Sequence, residues 1–339
     1  MKLIKPKAEL LLQQPGLEGV YKQIELAGRT CYKSTDKITE DSAKPFVDRM
    51  INSKHTAMLE HGTVYLEFLY EQPVKVVHKD GTSVVYDDTK IYNTLVNKYT
   101  KNSYSKVNER YTGLGGYAVY ITTNLRVLVE NGWLDDLQYI CEPTEYHEKR
   151  YTFRLTTSIG VTRELNRHRV NSIAEQSTRY CNYSKDKFGG EVTFCIPSWM
   201  DIPESNVYLD DDKNYRIHPN DPSKESYTIN PNDYFTTTEP MIRSLWLISL
   251  EVSEKYYMEL LKLGYQPQQA REVLPLCTAT EIIHTAFASD WKHFFDLRYF
   301  GKTGAPHPNM VELTGLMAKE ADKYGIWNEL CNEQVNDDN

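Results

Sequence analysis

The stretch that decides the fold and the site is Thr162–Tyr180, TRELNRHRVNSIAEQSTRY. It holds four arginines against two glutamates, on a chain whose formal net charge is −8. Neighbouring guanidiniums repel one another unless an anion binds between them, and their planar forks suit phosphate oxygens. Hydroxyl groups lie among these charges, at Ser172, Ser177 and Thr178. The stretch therefore predicts an anion-binding site, against the plainer alternative of a solvated, charged helix face.

The residues before this stretch place it on local structure. Tyr151–Thr157 predicts a strand, and Ile159–Arg169 predicts a helix with Ser158 as its N-cap. The arginines would then straddle the end of a helix and the loop after it. Because backbone N–H groups are free at such a place, they can bind an anion together with the arginines.

Hydrophobic periodicity predicts the other helices and strands, and together they indicate a fold that mixes the two. Helices are expected over 17–27, 41–53, 117–131 (ended by Gly132) and 290–298 (capped by Ser289), with strands at 64–68 and 278–287, and a hairpin turning at Asp80-Gly81. Tyrosine-rich residues 89–116 and polar residues 201–232 are expected to be loops. Glu239–Leu263 predicts a core helix whose buried face carries Leu245, Ile248, Val252, Tyr256, Leu260 and Leu263. Interleaved strands and helices indicate an α+β (α/β) single domain over residues 1–339.

Composition narrows the class of protein. Of 339 residues, 40% are hydrophobic and 25% are charged, which is typical of a globular chain. The 39 basic residues are outnumbered by 47 acidic ones, which counts against binding to nucleic acid by counterion release. The chain has neither an apolar run long enough for a membrane span nor a signal-peptide cleavage site. Its six cysteines are scattered singly, so we expect a reduced, cytoplasmic protein with no membrane partner.

The other residues that could carry chemistry are better explained by a structural or binding role. Cys277 lies in an apolar context, where a single cysteine is more often a small core residue than a nucleophile. Ser177 has no identifiable general base, so phosphate binding is the better interpretation. The histidines show no ligand spacing with a second histidine or cysteine, and we expect no metal.

The arginine-rich stretch resembles the signature of the flavin-dependent thymidylate synthases. Arg167-His168-Arg169-Val170-Asn171-Ser172, followed by Ser177-Thr178-Arg179, is similar to that family's R-H-R-x-x-S and S-x-R pattern. Three other segments agree in order: HTAMLEHGTVYLEF (55–68), REVLPL (271–276) and WKHFFDLR (291–298). The resemblance covers about 24–68, 151–199 and 239–300. It leaves out two insertions, about 71–150 and 201–238.

This resemblance implies a mixed sheet with flanking helices in a homotetramer whose active sites are built by several subunits. It implies binding of FAD, dUMP, 5,10-methylenetetrahydrofolate and NADPH. Hydride from NADPH would pass through the flavin as the one-carbon unit reaches uracil C5, which gives dTMP. Such a methyltransferase would serve dTMP biosynthesis.

The resemblance also implies roles for individual residues. Arg298 would be catalytic by favouring ionisation at N3 of the pyrimidine, and His61, from the family's E-H pair, would lie near the flavin. FAD would be bound by Arg167, His168, Arg169, Glu175 and His293. The dUMP set would be Glu164, Arg167, Gln176, Ser177, Arg179, Arg271 and Arg298.

This sequence departs from the family pattern at two places. Ala174 stands where the family usually has Asn, and Phe287-Ala288-Ser289 stands where it often has N-x-R. The departure at Phe287 and Ser289 counts against side-chain contacts from these residues to flavin. Ala174 and the insertions leave open a related flavoenzyme that alkylates another pyrimidine nucleotide. A non-catalytic nucleotide- or RNA-binding protein is a further alternative, and the net negative charge counts against it.

Overall fold

The computed structural model describes residues 1–71, 74–77, 81, 83–86, 89–113, 116–186, 189–230 and 238–331. Its strands are β1 (Lys2–Ile4), β2 (Lys7–Leu11), β3 (Thr63–Glu71), β4 (Val74–Val77), β5 (Ser83–Tyr86), β6 (Lys106–Gly113), β7 (Gly116–Asn124), β8 (Arg150–Ser158), β9 (Ser172–Glu175), β10 (Thr193–Cys195), β11 (Ser205–Leu209), β12 (Tyr215–Pro219), β13 (Tyr227–Ile229) and β14 (Ala279–Phe287). Its α-helices are α1 (Gly16–Cys31), α2 (Ala43–Asn52), α3 (Thr89–Thr100), α4 (Leu125–Asn131), α5 (Ile159–Leu165), α6 (Thr238–Lys262), α7 (Pro267–Ala270), α8 (Ala288–Arg298), α9 (Pro308–Lys323) and α10 (Trp327–Leu330). Short 3-10 turns include Thr56–His61 and Arg271–Val273.

The described strands form four sheets. Their orders are β10-β1-β11-β12-β13, β2-β8-β14-β9, β3-β7-β6 and β4-β5. The first sheet is mixed because β1 pairs with β10 in parallel and with β11 antiparallel. With helices packed on these sheets, the predicted mixed α+β class is confirmed. The assignment of the whole chain to one domain stays a prediction, although both insertions extend sheets that begin outside them.

The sheet β2-β8-β14-β9 is the scaffold of the candidate site. Strands β8 and β14 pair along their whole length, from Ala279 opposite Ser158 to Phe287 opposite Arg150. Alternate side chains of β8, including Phe153 and Leu155, pack with Trp291 of α8 in a fully buried core. Since β8 leads into α5 and β14 leads into α8, this core fixes where both helices begin.

The expected loop over 89–116 is wrong, because the structure has helix α3 and strand β6 there. Leu95 and Tyr99, one helical turn apart, are 3% and 0% exposed. Strand β6 pairs antiparallel with β7. Pairing with β7 stabilises β6 as a strand even though its local composition is polar. The predicted hairpin strands β4 and β5 are present, and their turn residues 78–80 and 82 lie outside the described residues.

The expected helix over 117–131 is correct only in its second half. Residues up to Asn124 form β7, which suits its β-branched and aromatic side chains. Asn124 then caps α4 by accepting a hydrogen bond from Val127 N at 3.1 Å. Gly132 ends the helix as predicted, with a left-handed φ of 70°.

The expected surface loop over 201–232 is also wrong, because strands β11, β12 and β13 form an antiparallel meander there. The meander is anchored by β11 on β1, where Lys2 pairs with Asn206. Because this partner lies about two hundred residues away in sequence, local composition does not reveal it.

Two further expectations about helices need correction. The stripe of α6 expected to be buried is largely exposed: Leu245 is 52%, Tyr256 57% and Leu263 75% exposed. The buried face is carried by Leu247, Leu250 and Tyr257, with Ser244. A sequence with apolar residues on two faces does not say which face meets its own chain.

The second correction concerns α8, which begins at Ala288 without a side-chain cap, so Ser289 is not its N-cap. Ser289 instead donates through its hydroxyl to Glu148 Oε1. In the described ranges, no helix is both long and apolar enough to cross a membrane.

Candidate functional site

An open cavity of about 540 Å³ lies where the arginine-rich stretch meets the turn after α7. It is bounded by the C-terminal half of α5, the loop after β9 and the 3-10 turn at Arg271. Its lining includes Thr162, Arg163, Asn166, Glu175, Gln176, Ser177, Thr178, Arg179, Arg271 and Glu272. Four of the predicted nucleotide-binding residues (Gln176, Ser177, Arg179 and Arg271) therefore line one cavity.

Helix α5 carries one wall of this cavity and is shorter than predicted. Ser158 caps it by accepting from Val161 N at 3.4 Å, and it ends at Leu165 rather than Arg169. Thr162 donates from Oγ1 to Glu175 Oε1 at 2.9 Å. Burial raises the pKa of the Glu175 carboxyl, and hydrogen bonds including that from Thr162 oppose the rise.

Backbone contacts hold the loop after β9 in place. Gln176 N donates to Glu281 O, and Ser177 N donates to Cys31 O, both at 2.8 Å. Arg179 N lies 3.3 Å from Ser177 Oγ, so this hydroxyl sits inside the turn that presents Arg179. The loop is thus built between α1 and β14, which explains how an exposed arginine is held at a defined place.

Two guanidiniums approach the cavity from different elements. Arg271 donates from Nη1 to Thr178 Oγ1 at 2.8 Å, and its Nε lies 3.5 Å from Glu272 Oε1. Arg179 makes a long contact of 3.4 Å from Nε to Gln268 Oε1 and stacks on Tyr180, with 5.3 Å from Cζ to the ring centroid. Such converging donors can bind a phosphate group.

A second polar cluster surrounds Arg298 at the end of α8. Arg298 donates from Nη1 to Glu164 Oε2 at 3.0 Å, from Nη2 to Glu164 O at 3.2 Å, and from Nε to His168 Nε2 at 3.2 Å. The His168 ring lies 6.2 Å from that of His293, edge to face. Burial, with the charges of Arg298 and His293, lowers the pKa of His168 to about 4. A neutral His168 can accept from Arg298, as the geometry requires.

The cavity and the Arg298 cluster lie on opposite faces of α5. Thr162 points toward the cavity and Glu164 toward Arg298, as expected for residues about 200° apart around a helix. Arg167 and Arg169 follow α5 as exposed side chains. Within one chain the structure therefore brings together only part of the predicted dUMP set. Glu164, Arg167 and Arg298 are not among the residues lining the cavity.

His61 lies in the interior, and His284 interacts electrostatically both with it and with His168 of the second cluster. It is 1% exposed, and its Nδ1 is 2.9 Å from Thr285 Oγ1. Burial, with the charge of Arg150, lowers the pKa of His61 to about 3. The next residue, Gly62, packs so closely on α1 that a Cβ there would be 2.5 Å from Ile24 Cδ1. His61 is thus a neutral imidazole in a rigid turn.

Sequence reasoning missed several residues of the site. Arg163, Asn166 and Thr178 line the cavity but were not assigned a role. The spacing of Ile159, Thr162, Arg163 and Asn166 on α5 could have revealed the first two. Nothing in the sequence indicated a role for Arg150, because a strand pattern does not show that the first residue of the strand is buried. Phe287 is 5% exposed beneath Arg150 and Lys106, so its side chain is covered by this chain itself.

Cys277 is half-buried against the core formed by the first sheet and α6. Burial raises the pKa of its thiol to about 11. A thiol in this state is a poor nucleophile. Among the described residues, no group of His, Cys, Asp and Glu is arranged to hold a metal ion.

Taken together, the geometry is that of an α+β chain with an open cavity suited to a small anionic ligand. The chain belongs to the family described as Thymidylate synthase complementing protein (Thy1), whose match covers residues 143–323, more than half of its length. That match contains the arginine-rich stretch, Arg271, His293 and Arg298, and it confirms the resemblance seen in the sequence.

Two curated relatives are flavin-dependent thymidylate synthases of Thermosipho species. The protein of Thermosipho melanesiensis is 29% identical over 155 residues, which is 46% of this chain and 56% of the relative. The protein of Thermosipho africanus is 31% identical over 155 residues, which is 46% of this chain and 57% of the relative. The chain thus spans little more than half the length of the curated relatives it matches.

Solved structures with a similar trace include a UMP/dUMP methylase, PolB, from Streptomyces cacaoi. The form bound with 5-Br dUMP gives a TM-score of 0.38 at 16% identity, over 95% of this chain and 93% of the other. The form bound with 5-Br UMP gives a TM-score of 0.40 at 15% identity, over 97% and 95% of the two chains.

Proposed function

We propose that the chain is an FAD-dependent thymidylate synthase that methylates dUMP to dTMP. The carbon donor would be 5,10-methylenetetrahydrofolate, and NADPH would supply the hydride that completes the methyl group. The balanced products are dTMP, tetrahydrofolate and NADP⁺. The observation that carries this proposal is the convergence of Arg179 and Arg271 on one cavity within a member of this family.

The cavity suits the phosphate end of a nucleoside monophosphate. Its size of about 540 Å³ falls within the usual range for small-molecule sites. Arg179 and Arg271 would clamp the phosphate, and Ser177 would add a hydroxyl donor. Gln176, directly before Ser177, offers an acceptor and donors for the sugar or base, and Glu175, which was predicted to bind FAD, lines the same cavity. The exposed Arg163, on α5, adds a third guanidinium to the cavity lining.

The residues assigned to FAD fit a group that carries phosphates. Arg167 and Arg169 are exposed, and in the described part of the chain neither forms an ion pair with a carboxylate. They would bind the anionic part of FAD, while His168 and His293 would lie against it from the α8 side. When bound, FAD would supply the hydride-transfer chemistry.

Arg298 would act on the uracil ring. A fixed cation on the N3 side stabilises the negative charge that develops on the ring as C5 becomes nucleophilic. Glu164 and His168 hold the guanidinium of Arg298 by three hydrogen bonds. Such anchoring means that little reorganisation is needed at the moment of reaction. Glu164 would then serve dUMP binding through Arg298.

We also propose that the active protein is a homotetramer. The predicted dUMP residues lie on two faces of α5, so a second chain is needed to bring Arg298 to a cavity that holds Arg179. The exposed stripe Leu245, Val252, Tyr256 and Leu263 gives α6 an apolar face that another chain can cover. Light scattering should report four chains, and Val252→Lys should lower that number. An active monomer would contradict this assembly.

Ala174 does not favour the alternative substrate, a pyrimidine nucleotide other than dUMP. This residue is 1% exposed and packs with Ala27, Cys31 and Ile283, and it is not among the residues lining the cavity. Its replacement of the family's Asn therefore does not reshape the cavity directly. A choice between dUMP and another pyrimidine nucleotide is decided by titrating dUMP and UMP side by side.

The flavin proposal is tested by a visible spectrum. Protein mixed with excess FAD and then desalted should retain flavin absorbance near one equivalent per chain. Adding dUMP should perturb this spectrum at a lower concentration than UMP. A protein that retains no flavin under these conditions would overturn the proposal.

A further inference from the structure

Arg150, the first residue of β8, is a buried cation whose hydrogen-bond partners are all neutral; the carboxylates of Glu60 and Asp290 interact with it electrostatically without forming an ion pair among the described residues. It is 9% exposed and donates from Nη1 to Glu60 O at 3.0 Å and to Thr63 Oγ1 at 3.3 Å, and from Nη2 to Ser172 Oγ at 3.0 Å. All three acceptors are neutral oxygens, and among the described residues no carboxylate forms an ion pair with Arg150. A buried charge is costly unless it is paired. Simple packing is therefore a poor explanation for an arginine here.

These hydrogen bonds join segments that carry candidate site residues. Glu60 O belongs to the peptide group that links Glu60 to His61. Ser172 begins β9, which leads directly to the cavity residues Glu175 and Gln176. The guanidinium also lies 5.3 Å from the ring centroid of Phe287, the residue before α8. One side chain thus contacts three elements: the 3-10 turn Thr56–His61, the start of β9 and the end of β14.

The environment of His61 shows what this charge does. His61 Nδ1 is 2.9 Å from Thr285 Oγ1, which is 2.8 Å from Thr152 Oγ1. The charged or titratable groups facing it are Arg150 on β8 and His284 on β14, whose pKa burial keeps well below its usual value. The neighbouring Glu60 carboxylate is engaged by Arg126. A positive charge next to the imidazole opposes its protonation.

We propose that Arg150 is a positioning residue for the reaction: it fixes the Glu60–His61 segment against Ser172. Its charge also adds to burial, the larger cause, in opposing protonation of the His61 imidazole. His61 Nδ1 is held at Thr285, and the hydrogen bonds of Arg150 tie the His61 turn to the start of β9, the strand whose other end, Glu175, lines the cavity. This inference rests on the proposed function for its kinetic consequences, and on the structure alone for the link between Arg150 and His61.

The kinetic test uses Arg150→Lys, which keeps the charge but loses the planar fork that reaches three acceptors. A misplaced His61 segment should lower kcat about tenfold or more, since small displacements of a site cost up to about a hundredfold. Affinity for dUMP should change less than about twofold, because Arg179 and Arg271 are untouched. Equal losses of kcat and dUMP affinity, or no loss of kcat, would overturn the proposal.

Matched variants separate positioning from stability. Arg154→Met changes another arginine of β8, one that is paired with Glu9 at the surface, and should leave kcat unchanged. Ser172→Ala removes one acceptor while keeping Arg150. Ser172→Ala should lower kcat less than Arg150→Lys does and leave dUMP affinity nearly unchanged. It supplies the test if Arg150→Lys does not fold.

A second readout needs no activity. In protein labelled with ¹³C at histidine Cε1, the His61 signal, assigned with His61→Gln, is followed from pH 8 to pH 4.5. Wild type and Arg150→Lys should stay at the neutral position, and Arg150→Met should move further toward the imidazolium position. Identical titrations in wild type and Arg150→Met would refute the electrostatic role. Failure of wild type to make dTMP would refute the proposed function instead.

Discussion

Arg298 Nη1 donates to Glu164 Oε2 over 3.0 Å, so two residues expected to bind the same nucleotide are paired with each other. Their side chains are 21% and 31% exposed, which leaves part of the guanidinium open to a ligand. The pair lies on the face of α5 opposite Thr162 and the cavity. This division of the predicted site between two faces is the main feature that the proposed assembly has to explain.

Arg298→Ala should lose most of kcat even at saturating dUMP. The reason is that stabilisation of the activated uracil ring is removed as well as ground-state binding. By comparison with other preorganised charge stabilisers, the loss should be about a hundredfold or more. Steady-state kinetics at saturating dUMP measures it. Arg216→Ala, a surface arginine paired with Asp210, is the control and should behave as wild type.

Arg179→Ala should act on dUMP binding instead. Losing one charge-assisted contact should weaken binding by about 1.5–3 kcal/mol. This corresponds to about 10- to 100-fold in affinity, measured by equilibrium titration. Flavin binding should change much less, because Arg167 and Arg169 lie on the exposed segment after α5 and outside the cavity lining. An equal loss of both ligands would instead indicate collapse of the loop after β9.

Cys277→Ala should keep substantial activity. The thiol is half-buried against apolar residues, and burial raises its pKa to about 11, so it is mostly protonated at neutral pH. The substitution should mainly reduce packing and lower Tm slightly. Activity assays on folded, flavin-loaded protein decide the matter. An inactive Cys277→Ala together with an active Arg298→Ala would show that the assigned mechanism is wrong.

Stability should fall as pH drops from 7 to 5. The pKa of His168 in the folded chain is about 4, below the value of about 6.5 expected when unfolded. Between these values the unfolded chain binds more protons, so the free energy of unfolding decreases as pH decreases. Urea midpoints at pH 7, 6 and 5 should show this slope.

His168→Gln should make that slope shallower without abolishing it, because one group that protonates on unfolding is removed while His61 and His284, whose pKa values are also lowered, remain. His55→Gln, which changes an exposed histidine, is the matched control. If the slopes of all three proteins coincide, His168 is not held neutral by the fold.

The sequence was most informative where chemistry and local structure coincide. Strand β8, the Ser158 cap and the start of α5 follow from hydrophobic period and capping rules. The cluster of arginines around them indicates an anion-binding site. Ser177 and Arg179 of the arginine-rich stretch line one cavity together with Arg271, and their binding roles stay predictions. The length of α5 was overestimated because Asn166 and Arg167 are acceptable in a helix, and nothing local required the turn that follows.

Long-range partners account for most of what the sequence did not reveal. Strand β11 depends on β1, and β6 depends on β7, so their polar residues resemble loops until the partner is known. The exposed face of α6 is apolar, and periodicity alone cannot tell a face covered by the same chain from one left open. Arg150 is functional only through contacts with Glu60 and Ser172, which are far from it in sequence.

The central claim is tested most directly by an anaerobic incubation of the FAD-loaded protein with dUMP, NADPH and 5,10-methylenetetrahydrofolate labelled at the methylene carbon. The account predicts dTMP with the labelled methyl group, formed together with tetrahydrofolate and only when NADPH is present. Dihydrofolate as the product, or dTMP formed without NADPH, would contradict it, because the folate would then have supplied the hydride. Absence of dTMP from protein shown to bind both FAD and dUMP would contradict it equally.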